Sequence, residues 1–418
     1  MGTSAPLTLK QGAAHLAAII GAEHSIVRGE TVVAVPADVQ QVAEVLRFTN
    51  ANGLTVMPSG NGTKLGWGNP VVPDIELSLK RISELREHAW QDMTCTVEAG
   101  CSWAAMEAQL EQHGQMVALD PLWPDLATVG GIVASNDSGA LRLRFGGLRD
   151  LIIGMTIVLA DGTVAKTGGK VVKNVAGYDL HKLMTGSLGT LGVITEVNFR
   201  LHPIVEHART WTVVVIDEAL PDASRFAAPL RTLMDSQITP SSVQLRMSKH
   251  ECALDIRIAA VPECLDDYAA RIQKILGKLA VTESSEEVWR ARQRLFDRSD
   301  AVVLKVSLFP SEICAVISVL QQWEAEGGLD VAVVAQATGL MTVAFNPAGG
   351  AAIALIERLR ASLVAVGGSV VALHVPDGLR GTIDVWGYGS DALPLMREIK
   401  GRFDPNRILN PGRFVGNI

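Results

Sequence analysis

The chain has 418 residues, 48% of them hydrophobic and 19% charged, with a net charge of −7 and a mean hydropathy of +0.24. That length exceeds one ordinary core, so two or more domains are expected, and 37 basic against 44 acidic residues without a basic cluster exclude a nucleic-acid partner. No run of eighteen apolar residues occurs, so the apolar excess is not a spanning helix and reads instead as a contact surface for another protein.

The five cysteines, Cys95, Cys101, Cys252, Cys264 and Cys314, form no C-x-x-C pair. An iron–sulfur cluster or zinc site in this chain is therefore not expected. An odd cysteine count and an N-terminus without a basic-then-apolar signal pattern point to the cytoplasm.

In chain order, a short helix is expected over Ala13–Ile20 and a strand over Thr31–Val35. Pro36 and Asp38 open a helix whose apolar Val39, Val42, Leu46 and Phe48 lie nearly on one face, and Asn52-Gly53 stops it. Leu54–Met57 is the next strand, completing a parallel βαβ unit. The stretch Pro58-Ser-Gly-Asn-Gly-Thr-Lys-Leu-Gly-Trp-Gly-Asn-Pro70 then leaves the carboxyl end of that strand, where open sheets place ligands. Its four glycines let successive N–H groups turn toward an anion such as a phosphate; alone, the stretch reads equally as a loose turn.

Ile75–Leu79 and Thr94–Ala99 read as strands and Ser102–His113 as a helix. A second glycine-rich stretch, 124–139, is too small and polar in its second half for a core element. Leu151–Leu159 and Thr163–Lys166 flank Asp161-Gly162 as a hairpin. A short helix at His181–Met184 precedes Gly186-Ser-Leu-Gly-Thr-Leu-Gly192 and a strand over Val193–Leu201. Beyond residue 208 the order β-α-β-β-α occurs twice, which predicts two ferredoxin-like halves sharing an antiparallel sheet. An extra helix, Ser285–Phe296, stands between them. The tail carries a helix, Leu393–Gly401, and an irregular Pro/Gly segment.

A nicotinamide site needs G-x-G-x-x-G at a helix start. Gly60-Asn-Gly62-Thr-Lys-Leu-Gly66 has one residue too many and runs into Trp67-Gly-Asn-Pro70, which is not helical. No G-x-x-x-x-G-K-[ST] string exists, which disfavours nucleotide hydrolysis.

Five motifs in order carry a resemblance. They are Pro58–Lys64, Ala127-Thr-Val-Gly-Gly-Ile-Val-Ala-Ser-Asn136, Phe145-Gly before Arg149-Asp150 together with Gly177-Tyr-Asp179, Gly186–Glu196, and the closing Asp404-Pro-Asn-Arg-Ile-Leu-Asn-Pro-Gly412. Together they resemble the flavoproteins of the vanillyl-alcohol oxidase / p-cresol methylhydroxylase type. Within that family Lys173-Asn-Val-Ala-Gly-Tyr-Asp179 looks most like the FAD-binding subunits of glycolate oxidase. The resemblance implies an α+β protein with an FAD-binding domain at 25–205, an α+β cap with an antiparallel sheet at 206–385, and a segment at 386–418 returning to the FAD domain. It implies that Pro58, Ser59, Gly60, Asn61, Gly62, Thr63 and Lys64 cradle the pyrophosphate. Pro124, Thr128, Gly130, Gly131, Ala134, Ser135, Asn136 and Gly139 would pass near the ribityl chain and ring. Gly192, Val193 and Ile194 would meet the adenine, and Asn410 would return to the flavin. Val193 and Ile194 read equally as buried strand.

Three departures from the family pattern matter. The pyrophosphate loop has no His or Cys, so noncovalent FAD is expected. The usual Gly-Ser-Glu-Gly reads Gly186-Ser-Leu188-Gly, which removes one polar contact. Where the family's catalytic 2-hydroxy-acid dehydrogenases carry H-x-G-D-G-N-x-H, this chain reads His374-Val-Pro-Asp-Gly-Leu-Arg380-Gly, and no Glu-His pair comes after it. No metal site is expected. His374 would serve as base and Arg380 as carboxylate partner, although a lone His ending an apolar strand is more often a packed residue. Arg246 and His250 form a weaker pair. The leading expectation is an FAD-binding subunit of a glycolate or D-lactate dehydrogenase, working with a catalytic flavoprotein subunit of the same family and an iron–sulfur subunit. It would meet the inner face of the membrane only through those partners. A self-sufficient dehydrogenase using His374 and Arg380, and a structural subunit with little catalysis, are the competing readings.

Overall fold

The computed structural model describes residues 8–170, 178–216, 222–249, 251–327, 329–346, 351–389 and 391–418. The chain is α+β and divides into two units, one of residues 1–137, 147–204 and 388–418, the other of residues 138–146 and 205–387. Among the described residues no helix is long and apolar enough to cross a membrane.

In the first unit, local signals set the βαβ start. The Asp38 carboxylate accepts the N–H groups of Gln40 and Gln41, each at 2.9 Å, and caps the helix Val39–Asn52. Gly53 ends it in the left-handed conformation at φ 65°. Val42, Ala43, Val45 and Leu46 bury that helix against a four-stranded sheet. The strands Thr31–Ala34 and Val56–Ser59 are both parallel to Ile75–Ser78, which lies between them. Ser25–Arg28 adds an antiparallel edge.

A second sheet is wholly antiparallel, in the order Leu85–Ala89, Thr94–Glu98, Val193–Arg200, Ile152–Val158, Val164–Gly168. One hydrophobic core joins both sheets. The helix Val129–Ser135 runs through that core, with Val129, Gly130, Ile132 and Val133 buried. This corrects the expectation that residues 124–139 hold no core element. The small residues are what admit the helix: a Cβ on Gly130 would stand 2.8 Å from the Ala99 Cβ.

The second unit is an eight-stranded antiparallel sheet. Its first half, in spatial order, is Val281–Ser284, Ala208–Ile216, Glu251–Ala259, Ser242–Ser248. The second half mirrors it: Val331–Gln336, Leu340–Phe345, Val302–Ser307, Ser369–His374. Each half is a βαββαβ unit with the ferredoxin-like strand order, and the halves join where Ser242–Ser248 pairs with Val331–Gln336. Helices Ala227–Met234, Pro262–Leu276, Ile313–Gly327 and Ala351–Val364 supply the core on one face.

Candidate functional site

The glycine loop after Val56–Ser59 borders a cleft of about 690 Å³, its open mouth included. Pro58–Leu65 form one wall. Thr128, Gly130, Gly131, Ala134 and Ser135 form another, and Leu188, Gly189, Gly192 and Ile194 a third. Leu79, Ala99 and Arg413 complete the lining.

The backbone N–H groups of Gly60, Asn61, Gly62 and Thr63 have no protein acceptor among the described residues. Gly62 sits at φ 78°, which only glycine adopts freely. Four successive unfilled donors on a bent backbone form an anion nest. The loop lies against Thr128: a Cβ on Gly60 would be 2.1 Å from the Thr128 Oγ1. Thr128 is itself fixed, because its Oγ1 accepts the Gly131 N–H at 3.3 Å and caps the helix.

Charge near the loop is turned inward. The Lys64 Nζ donates to the Leu122 carbonyl at 3.2 Å and lies 3.5 Å from the buried Asp137 carboxylate. It is flanked by the rings of Trp67 and Trp123. Arg413, 5% exposed, donates to the carbonyls of Lys64, Leu65 and Trp67 at 3.1–3.2 Å. Desolvation by burial pulls its guanidinium down to about 10.

The tail fastens the cleft from behind. The Val56 N–H donates to the Ile408 carbonyl, and the Asn410 N–H donates back to Val56. The Asn410 Nδ2 donates to the Leu188 carbonyl at 2.7 Å, and its buried Oδ1 has no partner among the described residues. Leu188 is held in the left-handed region at φ 52°, a conformation disfavoured for its branched side chain. The buried Lys400 donates to Asp404, to the Leu409 carbonyl and to the Thr190 carbonyl at 2.7–2.8 Å. Desolvation lowers the Lys400 ammonium, and Asp404 counters that.

Several of the expected cofactor residues stand away from the lining. The Pro124 carbonyl accepts the Ala104 N–H. Asn136 ends its helix at φ 50°. Gly139 belongs to the segment 138–146 of the second unit. Val193 is a buried strand residue whose side chain packs in the core, and Asn410 lies behind Leu188. Leu65, Leu79, Ala99, Gly189 and Arg413 also line the cleft and were not singled out from the sequence; Leu188, noted there only as the loss of a polar contact, lines it too. Lys173–Gly177 lie outside the described residues.

The cleft fits a flavin dinucleotide: an anion nest at Gly60–Thr63 and small residues at Gly130, Gly131, Ala134, Ser135, Gly189 and Gly192 that leave room for a flat group. No His, Cys or Tyr is among the described residues lining the cleft.

In the second unit the His374 Nε2 lies 3.2 Å from the Ser299 carbonyl. Arg380 is exposed and pairs locally, with Asp377 at 3.1 Å. The two side chains do not bond each other among the described residues. Arg246 is gripped by Asp255, which is fully buried, at 2.7 and 3.1 Å. Burial opposes the Arg246 charge, and the hydrogen bonds and charge of Asp255 outweigh it, so its pKa is raised. Thr212 and Gln244 also donate to Asp255. His250 lies outside the described residues. Among those described, no group of three or more His, Cys, Asp or Glu is arranged to hold a metal.

Comparison with known proteins gives two family matches, "FAD binding domain" over residues 31–168 and "FAD linked oxidases, C-terminal domain" over residues 233–414. A mitochondrial D-lactate dehydrogenase [cytochrome] of Arabidopsis thaliana is 28% identical over 94% of this chain and 74% of its own length. Glycolate oxidase subunit GlcD of Bacillus subtilis is 34% identical over 42% of this chain and 37% of its own. Among solved structures, p-cresol methylhydroxylase superposes with a TM-score of 0.76 over 97% of this chain and 96% of that one, at 18% identity. The chain thus carries an FAD-binding domain and the C-terminal domain of FAD-linked oxidases on the fold of p-cresol methylhydroxylase; it is an oxidoreductase and its cofactor is FAD.

Proposed function

We propose that this chain is the FAD-binding subunit of a complex that oxidises a small 2-hydroxy acid, glycolate or D-lactate, to the 2-oxo acid. That oxidation releases two electrons and two protons, and bound FAD supplies a two-electron acceptor for it. The chain's own residues bind and orient the cofactor. The nest at Gly60–Thr63 takes the pyrophosphate on its backbone N–H groups, with Thr128 and Gly131 close beneath it. Ala134, Ser135 and Gly192 let the flat cofactor approach the backbone, with Ile194 beside them. Asn410, Lys400 and Asp404 hold the tail that braces the third wall. Among the described residues the lining holds no His, Cys or Tyr to form a covalent flavin bond, which supports noncovalent FAD.

The observation that carries the subunit reading is the state of the catalytic positions. Relatives named as 2-hydroxy-acid dehydrogenases include D-lactate dehydrogenases and D-2-hydroxyglutarate dehydrogenase. In this chain the motif expected of such enzymes is reduced to His374, which faces the Ser299 carbonyl, and Arg380, which is taken up by Asp377. A general base and a carboxylate cation held together are what the oxidation needs. A second flavoprotein subunit of the same family would supply them, and an iron–sulfur subunit would carry the electrons onward.

The test is to purify the chain with its natural partners and again alone, then measure dye reduction with glycolate and D-lactate. The assembly is expected to reduce the dye and the isolated FAD-loaded chain is not. If the isolated chain turns over and His374→Ala abolishes this with FAD still bound, the chain is a self-sufficient dehydrogenase and the subunit reading is wrong.

A further inference from the structure

We infer that Arg413 is a positioning residue for the phosphate-binding loop, setting the nest through the carbonyls of Lys64, Leu65 and Trp67. The inference rests on the reading of the cleft as the FAD site.

An anion nest works only when its N–H groups stay aimed inward. Each peptide that points its N–H at the ligand must have its neighbours' carbonyls turned away and held there. Gly60–Thr63 carry the unfilled donors, and glycine at 60 and 62 makes that backbone easy to misfold. Immediately after the nest the chain forms a compact turn: the Leu65 N–H donates to Gly62 and the Trp67 N–H to Lys64. Arg413 closes the turn from outside. Its Nε donates to the Trp67 carbonyl at 3.2 Å, and its Nη2 donates to Lys64 and Leu65 at 3.2 and 3.1 Å. The Asn69 N–H donates back to the Arg413 carbonyl at 2.9 Å, and the Asn69 Nδ2 to Gly412 at 2.9 Å. The contact is close, since a Cβ on Gly68 would stand 2.7 Å from the Arg413 carbonyl.

A planar fork reaches three carbonyls of one turn from a single buried position, and a lysine ammonium at the end of a flexible stem does not reproduce that geometry. Arg413 also lines the cleft. Burial lowers its pKa and works against the charge, so the three carbonyl contacts are what the geometry sets against that cost. Arg413 therefore fixes the conformation in which the loop accepts a diphosphate, while the ring end of the cofactor is left to other residues.

Fluorescence titrations of the flavin-freed protein test this with FAD and with ADP, which carries the diphosphate without the ring. In Arg413→Met both affinities are expected to fall by the same factor, about tenfold to hundredfold, the range for losing hydrogen bonds from a charged donor. Arg413→Lys is expected to lose most of the same affinity despite keeping its charge. The visible spectrum of either variant saturated with FAD is expected to match wild type. Wild-type affinity in Arg413→Met, a loss for FAD without one for ADP, or full rescue by Arg413→Lys would each overturn the inference. Should Arg413→Met fail to fold, Arg413→Lys carries the comparison alone, with equal losses for FAD and ADP supporting the inference and wild-type affinity overturning it. Wild-type protein that binds neither ligand would instead sink the reading of the cleft itself.

Discussion

Gly60→Ala adds one methyl group to the wall of the cleft. Gly60 is not in the left-handed region, so the substitution tests space and not backbone strain. The new Cβ would lie 2.1 Å from the Thr128 Oγ1, 2.9 Å from its Cγ2 and 3.0 Å from its Cβ. Thr128 cannot yield freely, because it is 3% exposed and its hydroxyl caps the helix Val129–Ser135. The loop must therefore move, at about 1–3 kcal/mol for overpacking a filled site. Thr128→Ala removes the two closest atoms and loses a cap, at about 1 kcal/mol. In the double variant the residual approach is the 3.0 Å contact to Cβ, so the two losses are expected to fall short of their sum by on the order of 1 kcal/mol. FAD affinity, measured by quenching of flavin fluorescence, is expected to drop at least about tenfold in Gly60→Ala, equivalent to ~1.4 kcal/mol, and to recover partly when Thr128→Ala is added. Wild-type FAD affinity in Gly60→Ala would show that the loop does not form the wall described.

Two further outcomes are expected. Acid precipitation of the purified protein should leave the yellow colour in the supernatant; colour retained on the washed pellet would contradict noncovalent FAD. Burial pushes the Glu107 carboxyl from an ordinary 4.5 up to about 8. The folded state then holds a proton that the unfolded chain has released, so this contribution to stability is complete below pH 4.5 and is lost as pH rises toward 8. Denaturation at about pH 5 and about pH 8 should show wild type losing on the order of a few kcal/mol across that window, and Glu107→Gln losing less. Equal losses in the two proteins would count against a protonated Glu107.

Much of the fold was legible because its signals are local. Asp38 and Gly53 bracket a helix within the reach of their own side chain and backbone, and the strands it joins are apolar on one side or both. The cap's second half read correctly for the same reason: alternation of long helical and strand patterns needs no distant partner. The elements that escaped lacked a local signal. Ser25–Arg28, Leu85–Ala89 and Val281–Ser284 are edge strands with little burial, so no apolar period marks them. The helix Val129–Ser135 was passed over because two glycines suit close packing and disfavour a helix equally well. Pro58–Lys64, Gly130 and Gly192, which line the cleft, stand in ordered motifs visible in the sequence. Arg413 does not stand out there, because the carbonyls it holds are 346 to 349 residues away in the chain. Asn410 sits in a tail motif visible in the sequence, but only the structure shows that it reaches Leu188 with its amide nitrogen while its oxygen has no partner among the described residues.

Hydrogen exchange on the peptide covering residues 58–66 tests the central claim most directly. The Gly60, Asn61, Gly62 and Thr63 amides have no acceptor among the described residues, so they should exchange fast in the flavin-free chain and slow sharply when FAD is added. Fast exchange that FAD leaves unchanged, in a sample shown by its visible spectrum to have bound the cofactor, would contradict the assignment of this loop as the pyrophosphate nest.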